Sequence, residues 1–176
     1  MGFQSTVAIN IAAGVPGEMA FDAPWKAETY TINSATSSLN IIGATCCSVT
    51  SQGYCAAGNT TGALPFAGFL VDPKDIALFG VNNQPLSPTL TVPNQAIVEC
   101  MTMGTIYVTV PAACAIGDYV IFDNVTGAIS TITPSTPLPS GKSFANALVD
   151  YFTPNASGVQ MAVISINPTY VIPQPA

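Results

Sequence analysis

The sequence predicts an all-β fold: a compact β-barrel or β-sandwich with an extended N-terminal arm and an irregular, Pro-rich C-terminal tail. Three observations lead there. The 176 residues include 15 Pro and 14 Gly. They are spaced so that few uninterrupted segments exceed about ten residues, the punctuation of many short strands. Residues 105–110, TIYVTV, alternate, with Ile106, Val108 and Val110 on one face and Thr105, Tyr107 and Thr109 on the other. That is the period of a half-buried strand. A helical pattern occurs at one place, 143–149, and it is short.

Taken in order, residues 1–28 carry Phe3, Phe21 and Trp25 among small residues, interrupted by GVPGE at 14–18. This composition predicts an arm that gains order by lying on something, with strand pieces at 6–12 and 19–21. The core follows over 29–166, with strands expected at 29–32, 41–49, 66–71, 89–92, 96–101, 106–110, 119–122, 128–132 and 159–166. The 119–122 segment, YVIF, is apolar on both faces, which places it centrally or against another subunit. In VDPKDIALFG (71–80), Asp72-Pro73 marks a turn, and Asp72, Lys74 and Asp75 form a solvated corner. TPSTPLPSGKS (133–143) reads as an exposed loop. Its SGKS ends like a phosphate loop, but position 136 is Thr where that motif needs Gly. The tail 167–176, NPTYVIPQPA, contains three prolines and cannot be a central strand.

Composition excludes several function classes. Charged residues make up 7% of the chain against a usual share of about 25%, so the surface must be covered by Thr, Ser, Asn and Gln or by other protein. A net charge of −6, with three Lys and neither Arg nor His, leaves nothing to neutralise a row of phosphates or to read guanine edges. Nucleic acid is therefore not an expected partner. Nor is a membrane, since Gly, Pro, Ser, Thr or Asn interrupts every apolar run short of the roughly 18–20 residues a spanning helix needs. The N-terminus has no basic region and is not expected to be a secretory signal. It fits M-G-x-x-x-[ST] with Gly2 and Thr6, a match that chance in an extended arm explains. The five cysteines, Cys46, Cys47, Cys55, Cys100 and Cys114, show no C-x-x-C spacing and have no His to complete a zinc site. They read as buried small hydrophobes, with a pairing of Cys46 or Cys47 to Cys55 left open. The sequons at Asn59, Asn124 and Asn155 read as turns.

Catalysis is not expected. Without His, neither Ser-His-Asp triads nor Cys-His dyads can form, and without Arg the usual carboxylate and phosphate clamps are missing. The pair Asp118 and Asp123, in IGDYVIFDNVTG, invites an acid–base reading. At ~3.3 Å per residue the two lie roughly 17 Å apart along one strand, beyond the 5–10 Å of paired-carboxylate chemistry. Each instead suits a turn: Asp118 after Gly117, and Asp123 before a short hairpin loop with Asn124 or Gly127 at positive φ. The expectation is no catalytic residue, no metal and no cofactor.

The order AAGVPGEMAFDAP (12–24), FAGFLVDPKDIALFG (66–80), TLTVPNQAIVECMTMGTIYVTVPAACAIGDYVIFDNVTGAIS (89–130) and a closing Gly-x-x-x-Ala-x-Ile strand (158–164) resembles the head cement, or decoration, proteins of tailed bacteriophages. The Cys-rich segment 46–55 is not part of the resemblance. What the resemblance implies is a structural virion protein, made in the host cytoplasm, that binds the outer surface of the major capsid protein lattice and stabilises the head against internal DNA pressure. It also implies self-association, as a homotrimer first and a homodimer second, and an N-terminal arm reaching over neighbouring subunits. Phe3, Phe21 and Trp25 are then the candidate capsid-interface residues. The alternative is a small-molecule-binding β-barrel, whose sign would be a deep apolar pocket within one monomer.

Overall fold

The computed structural model describes residues 14–21, 24–59, 64–71, 91–153 and 160–167. The described residues form nine strands: β1 (Lys26–Ile32), β2 (Cys46–Ser51), β3 (Tyr54–Ala57), β4 (Phe66–Leu70), β5 (Ile97–Val110), β6 (Tyr119–Asp123), β7 (Ile129–Ile132), β8 (Lys142–Thr153) and β9 (Gln160–Ile166). A 3-10 turn at Ser37–Leu39 completes the elements. The fold is all-β, as the punctuation predicts.

The organising element is β5. The two strand pieces expected at 96–101 and 106–110 are one continuous strand, which serves two sheets in succession. Its first half pairs with β1 and β4, and its second half, from Gly104, pairs with β9. The order β1-β3-β2-β4-β5, with β1 also pairing to β5, closes the first sheet into a barrel. Of the two expected forms, barrel and sandwich, the core adopts the barrel. The remaining order β5-β9-β8-β6-β7 forms the second sheet. Residues 43–46 bridge its far edge back to the barrel, through Thr109 N–H to Gly43 O, Leu70 N–H to Thr45 O and Ile129 N–H to Ala44 O.

Two cores result. Ile32, Ile42, Cys47, Cys55, Ala67, Leu70, Val92, Val98 and Cys100 fill the barrel. Phe69, Met101, Ile106, Val108, Phe122 and Ile164 are among the side chains packed in the other, where Phe66 stands edge-on to Phe69 at 5.7 Å. Neighbouring residues at the junction serve opposite cores. Cys46 and Met101 face the second core, while Cys47 and Cys100 face the barrel. This alternation explains why CC at 46–47 is a doublet of two buried residues rather than a linked pair.

Four sequence expectations need correction or completion. The short helical pattern at 143–149 is strand β8, where Ala145, Ala147 and Val149 are buried at period two. Alanine and leucine favour helix by propensity, but pairing to β6 and β9 overrides it. A bulge, with Asn146 at φ 49, hides the alternation further. β3 was not anticipated, because YCAA carries little β-branched signal. The expected strands at 19–21 and 89–92 contribute single bridges in the described residues, Met19 to Ile106 and Thr91 to Ile41. The strand expected at 6–12, the charged corner 72–75 and the tail from 168 lie outside the described residues.

Asp118 and Asp123 do turn work. Asp118, buried, accepts the Ala115 N–H at 2.8 Å. Asp123 Oδ1 accepts the N–H groups of Val125 and Thr126 and the Thr126 hydroxyl, and Gly127 takes the positive φ. Of the sequons, Asn59 pairs with both backbone groups of Leu64, and Asn124 accepts from Ser143. Asn155 lies outside the described residues.

Candidate functional site

Among the described residues, the exposed large hydrophobics concentrate on the N-terminal segment: Val15, Met19, Phe21 and Trp25. Val15 opens a turn, with the Glu18 N–H reaching its carbonyl at 3.1 Å, and Met19 and Phe21 follow that turn. The segment is fixed to the core by its backbone. It runs antiparallel to the second half of β5, with Gly17 N–H to Tyr107 O at 2.8 Å, Tyr107 N–H to Glu18 O at 2.9 Å and Ala20 N–H to Thr105 O at 3.0 Å.

Glycines make this close approach feasible. A Cβ on Gly14 would stand 2.5 Å from the Tyr107 ring, and one on Gly104 would stand 2.8 Å from Trp25 Cβ. A Cβ on Gly43 would collide with the Pro16–Gly17 backbone. Three bare backbone surfaces thus seat the segment, leaving its large side chains pointing away. Phe21 is 55% exposed and Trp25 50% exposed, unusual for aromatics held on so rigid a base.

The charges beside this row are few. Lys26 pairs with Glu28 at 2.8 Å, and Tyr30 donates its hydroxyl to the same carboxylate. The hydrogen bond from Lys26, then that from Tyr30, hold Glu28 below the usual carboxylate range, while burial and Glu28 push Tyr30 up to about 12. Phe21 and Trp25 therefore occupy this row at the edge of β1, which begins at Lys26 within the expected arm. Phe3 lies outside the described residues. A second exposed strip crosses the barrel wall, where Thr31 stands in register with both Tyr54 and Ile97. Ile97 is 66% exposed.

No arrangement resembling a reactive centre accompanies these surfaces among the described residues. The barrel axis is filled with side chains. A groove of about 230 Å³ lies between residues 38–45, 109–111 and 126–129, lined mainly by apolar atoms. The sulfurs of Cys47, Cys55 and Cys100 gather inside the barrel, all within 4.8 Å of one another. All five cysteines are free thiols, so the disulfide left open above is not formed.

The described residues thus present an apolar row, pinned by its backbone, on an all-β core. The comparisons with known proteins supply the family. The family described as structural cement protein (E217 gp24/Pam3 gp6), a phage cement family, matches residues 3–167, and the chain belongs to it. That family is structural, which gives the chain a place in the phage virion. None of the curated proteins matches. Four chains of solved structures do. One, from "The capsid of Myoviridae Phage XM1", is 16% identical with a TM-score of 0.61, over 97% of this chain and 100% of the other. At that identity the likeness establishes the shared fold.

Proposed function

We propose that this protein binds the outer surface of the major capsid protein lattice through the row Val15, Met19, Phe21 and Trp25, and stabilises the head against internal DNA pressure. Phe3 is assigned to the same interface. The carrying observation is the combination of exposure and rigidity. Phe21 and Trp25 stay half-exposed while their backbone is held against β5 and over Gly104. Aromatic anchors presented on a pre-organised backbone lose little entropy on docking, the property of interface hot spots. The protein works without catalysis, nucleic acid or membrane, and it is made in the host cytoplasm before joining the particle. Self-association, as a homotrimer before a homodimer, would cover the strip of Tyr54, Thr31 and Ile97.

The test mixes purified protein with capsids lacking it and measures co-sedimentation. Wild type is expected to bind. A Phe21→Ser, Trp25→Ser double variant is expected to stay in the supernatant while melting within about 0.5 kcal/mol of wild type, as exposed positions allow. Normal decoration by that variant would sink the assignment. Sedimentation equilibrium of the free protein separates trimer, dimer and monomer. Among the described residues, the groove of about 230 Å³ falls below the usual ligand-pocket range of about 300–1,000 Å³ and gives the small-molecule alternative no support.

A further inference from the structure

Sequence spacing offers no metal motif, yet the fold assembles three thiols from three strands at one point. Cys47 comes from β2, Cys55 from β3 and Cys100 from β5, and all three are fully buried in the barrel. Their sulfurs lie within 4.8 Å of one another. We propose that Cys47, Cys55 and Cys100 form a three-sulfur site for a soft monovalent cation of the Cu(I) class.

Two arguments select that ion. The first is spacing. An ion about 2.3 Å from each of three sulfurs in a plane holds those sulfurs about 4 Å apart, which the observed cluster reaches with small rotations. The second is donor type. The rest of the barrel core is Ile32, Ile42, Ala67, Leu70, Val92 and Val98, with Tyr30, Val49 and Ala96 packed against it; the Tyr30 hydroxyl is committed to Glu28, so the donors the cluster itself offers are sulfur, the type that selects soft ions. Coordination takes the thiolate form, so binding releases a proton from each thiol that ligates and changes no oxidation state.

An ion seated here would tie β2, β3 and β5 together across the barrel, a staple in a chain with no disulfide.

Because the site is closed, the experiment loads it during refolding. Reduced, full-length protein is refolded without oxygen in Cu(I) with bicinchoninate as competitor, and in parallel with Zn(II). The expected result is one Cu(I) per chain after desalting, a raised melting temperature and an X-ray absorption spectrum with three sulfur neighbours. Cys55→Ala and Cys100→Ala are each expected to lose that equivalent, whereas Cys46→Ala and Cys114→Ala keep it. Should the first two variants fail to fold, the sulfur count in wild type still decides. Fewer than three sulfurs, retention by folded Cys55→Ala or Cys100→Ala, no copper in refolded wild type, or preferential retention of zinc would each overturn the proposal.

Discussion

Gly58 and Gly127 meet backbone to backbone where the barrel joins the second sheet. A Cβ on Gly127 would sit 2.6 Å from Gly58 N and 2.5 Å from Cys46 O, and one on Gly58 would sit 2.6 Å from Asn124 O. Both glycines have positive φ, 77 and 73 degrees respectively. The seam is sealed by Cys46 N–H to Gly127 O at 2.9 Å, Gly58 N–H to Cys46 O at 2.9 Å and Asn59 N–H to Asn124 O at 2.8 Å. The DNVTG hairpin is therefore a docking element as well as a turn.

Gly127→Ala is expected to lose about 2–5 kcal/mol, from the positive-φ penalty and the overpacked seam together. Gly117 shares a positive φ, 88 degrees, but its Cβ would meet open space. Gly117→Ala should lose only the conformational part, about 1–2 kcal/mol. Urea unfolding of both variants measures the difference. Equal losses would mean that the seam contributes nothing.

Asp123→Ala removes the acceptor of three hydrogen bonds and is expected to cost about 1–2 kcal/mol. Asp123→Asn keeps an acceptor oxygen at the same place and should lose less. Their ranking by thermal melting separates a turn acceptor from a needed charge.

The acid limb of stability follows from the same carboxylate. The Thr126 N–H, opposed by slight burial and aided by the Thr126 hydroxyl, the Val125 N–H and Lys142, holds Asp123 below its ordinary 3.8. A lowered carboxylate stabilises the fold fully above its unfolded value, and that contribution disappears as pH falls through the folded value. The stability gap between wild type and Asp123→Asn should hold constant above about pH 5 and shrink below about pH 4. A gap unchanged down to pH 2.5 would contradict the role given to ionised Asp123.

Ellman's reagent should find at most one thiol in the native protein at pH 8, and that one slowly. Cys46, Cys47, Cys55 and Cys100 are buried, while Cys114 is partly exposed. Burial, then Asp118, pushes Cys114 up to about 11, so little thiolate forms at pH 8. All five should react in denaturant. Rapid native reaction of two or more thiols would show the barrel opening on that timescale.

Trp25 is the sole tryptophan, and half of it faces solvent. Its emission should move to shorter wavelength, and its acrylamide quenching should fall, when capsids lacking the protein are added. An unchanged spectrum at saturating capsid would place Trp25 outside the contact.

Legibility in the sequence followed the range of the forces involved. The second half of β5 announced itself through β-branched and aromatic residues at period two, β6 through a run apolar on both faces, and the roles of Asp118 and Asp123 through the local chemistry of Gly-Asp and Asp-Asn. β8 did not, because SFANALV is rich in helix formers and its strand state comes from pairing with β6 and β9. The exposed Phe21 and Trp25 could be picked out from composition. The packing of their segment through Gly14 on Tyr107, Gly43 on Pro16 and Gly17, and Gly104 on Trp25 could not, since those contacts join residues far apart along the chain. The thiol cluster was hidden for the same reason: Cys100 follows Cys55 by 45 positions, and only barrel closure brings them together.

The antiparallel run of residues 17–20 on β5 also has a mechanical side. If the arm is fastened to the shell as proposed, tension carried along it would act parallel to the strand axis, so its hydrogen bonds would be sheared together. Peeling from an end would break them in turn. Because β5 continues into the barrel, the load would pass to the β1 and β4 ladders before any strand could leave.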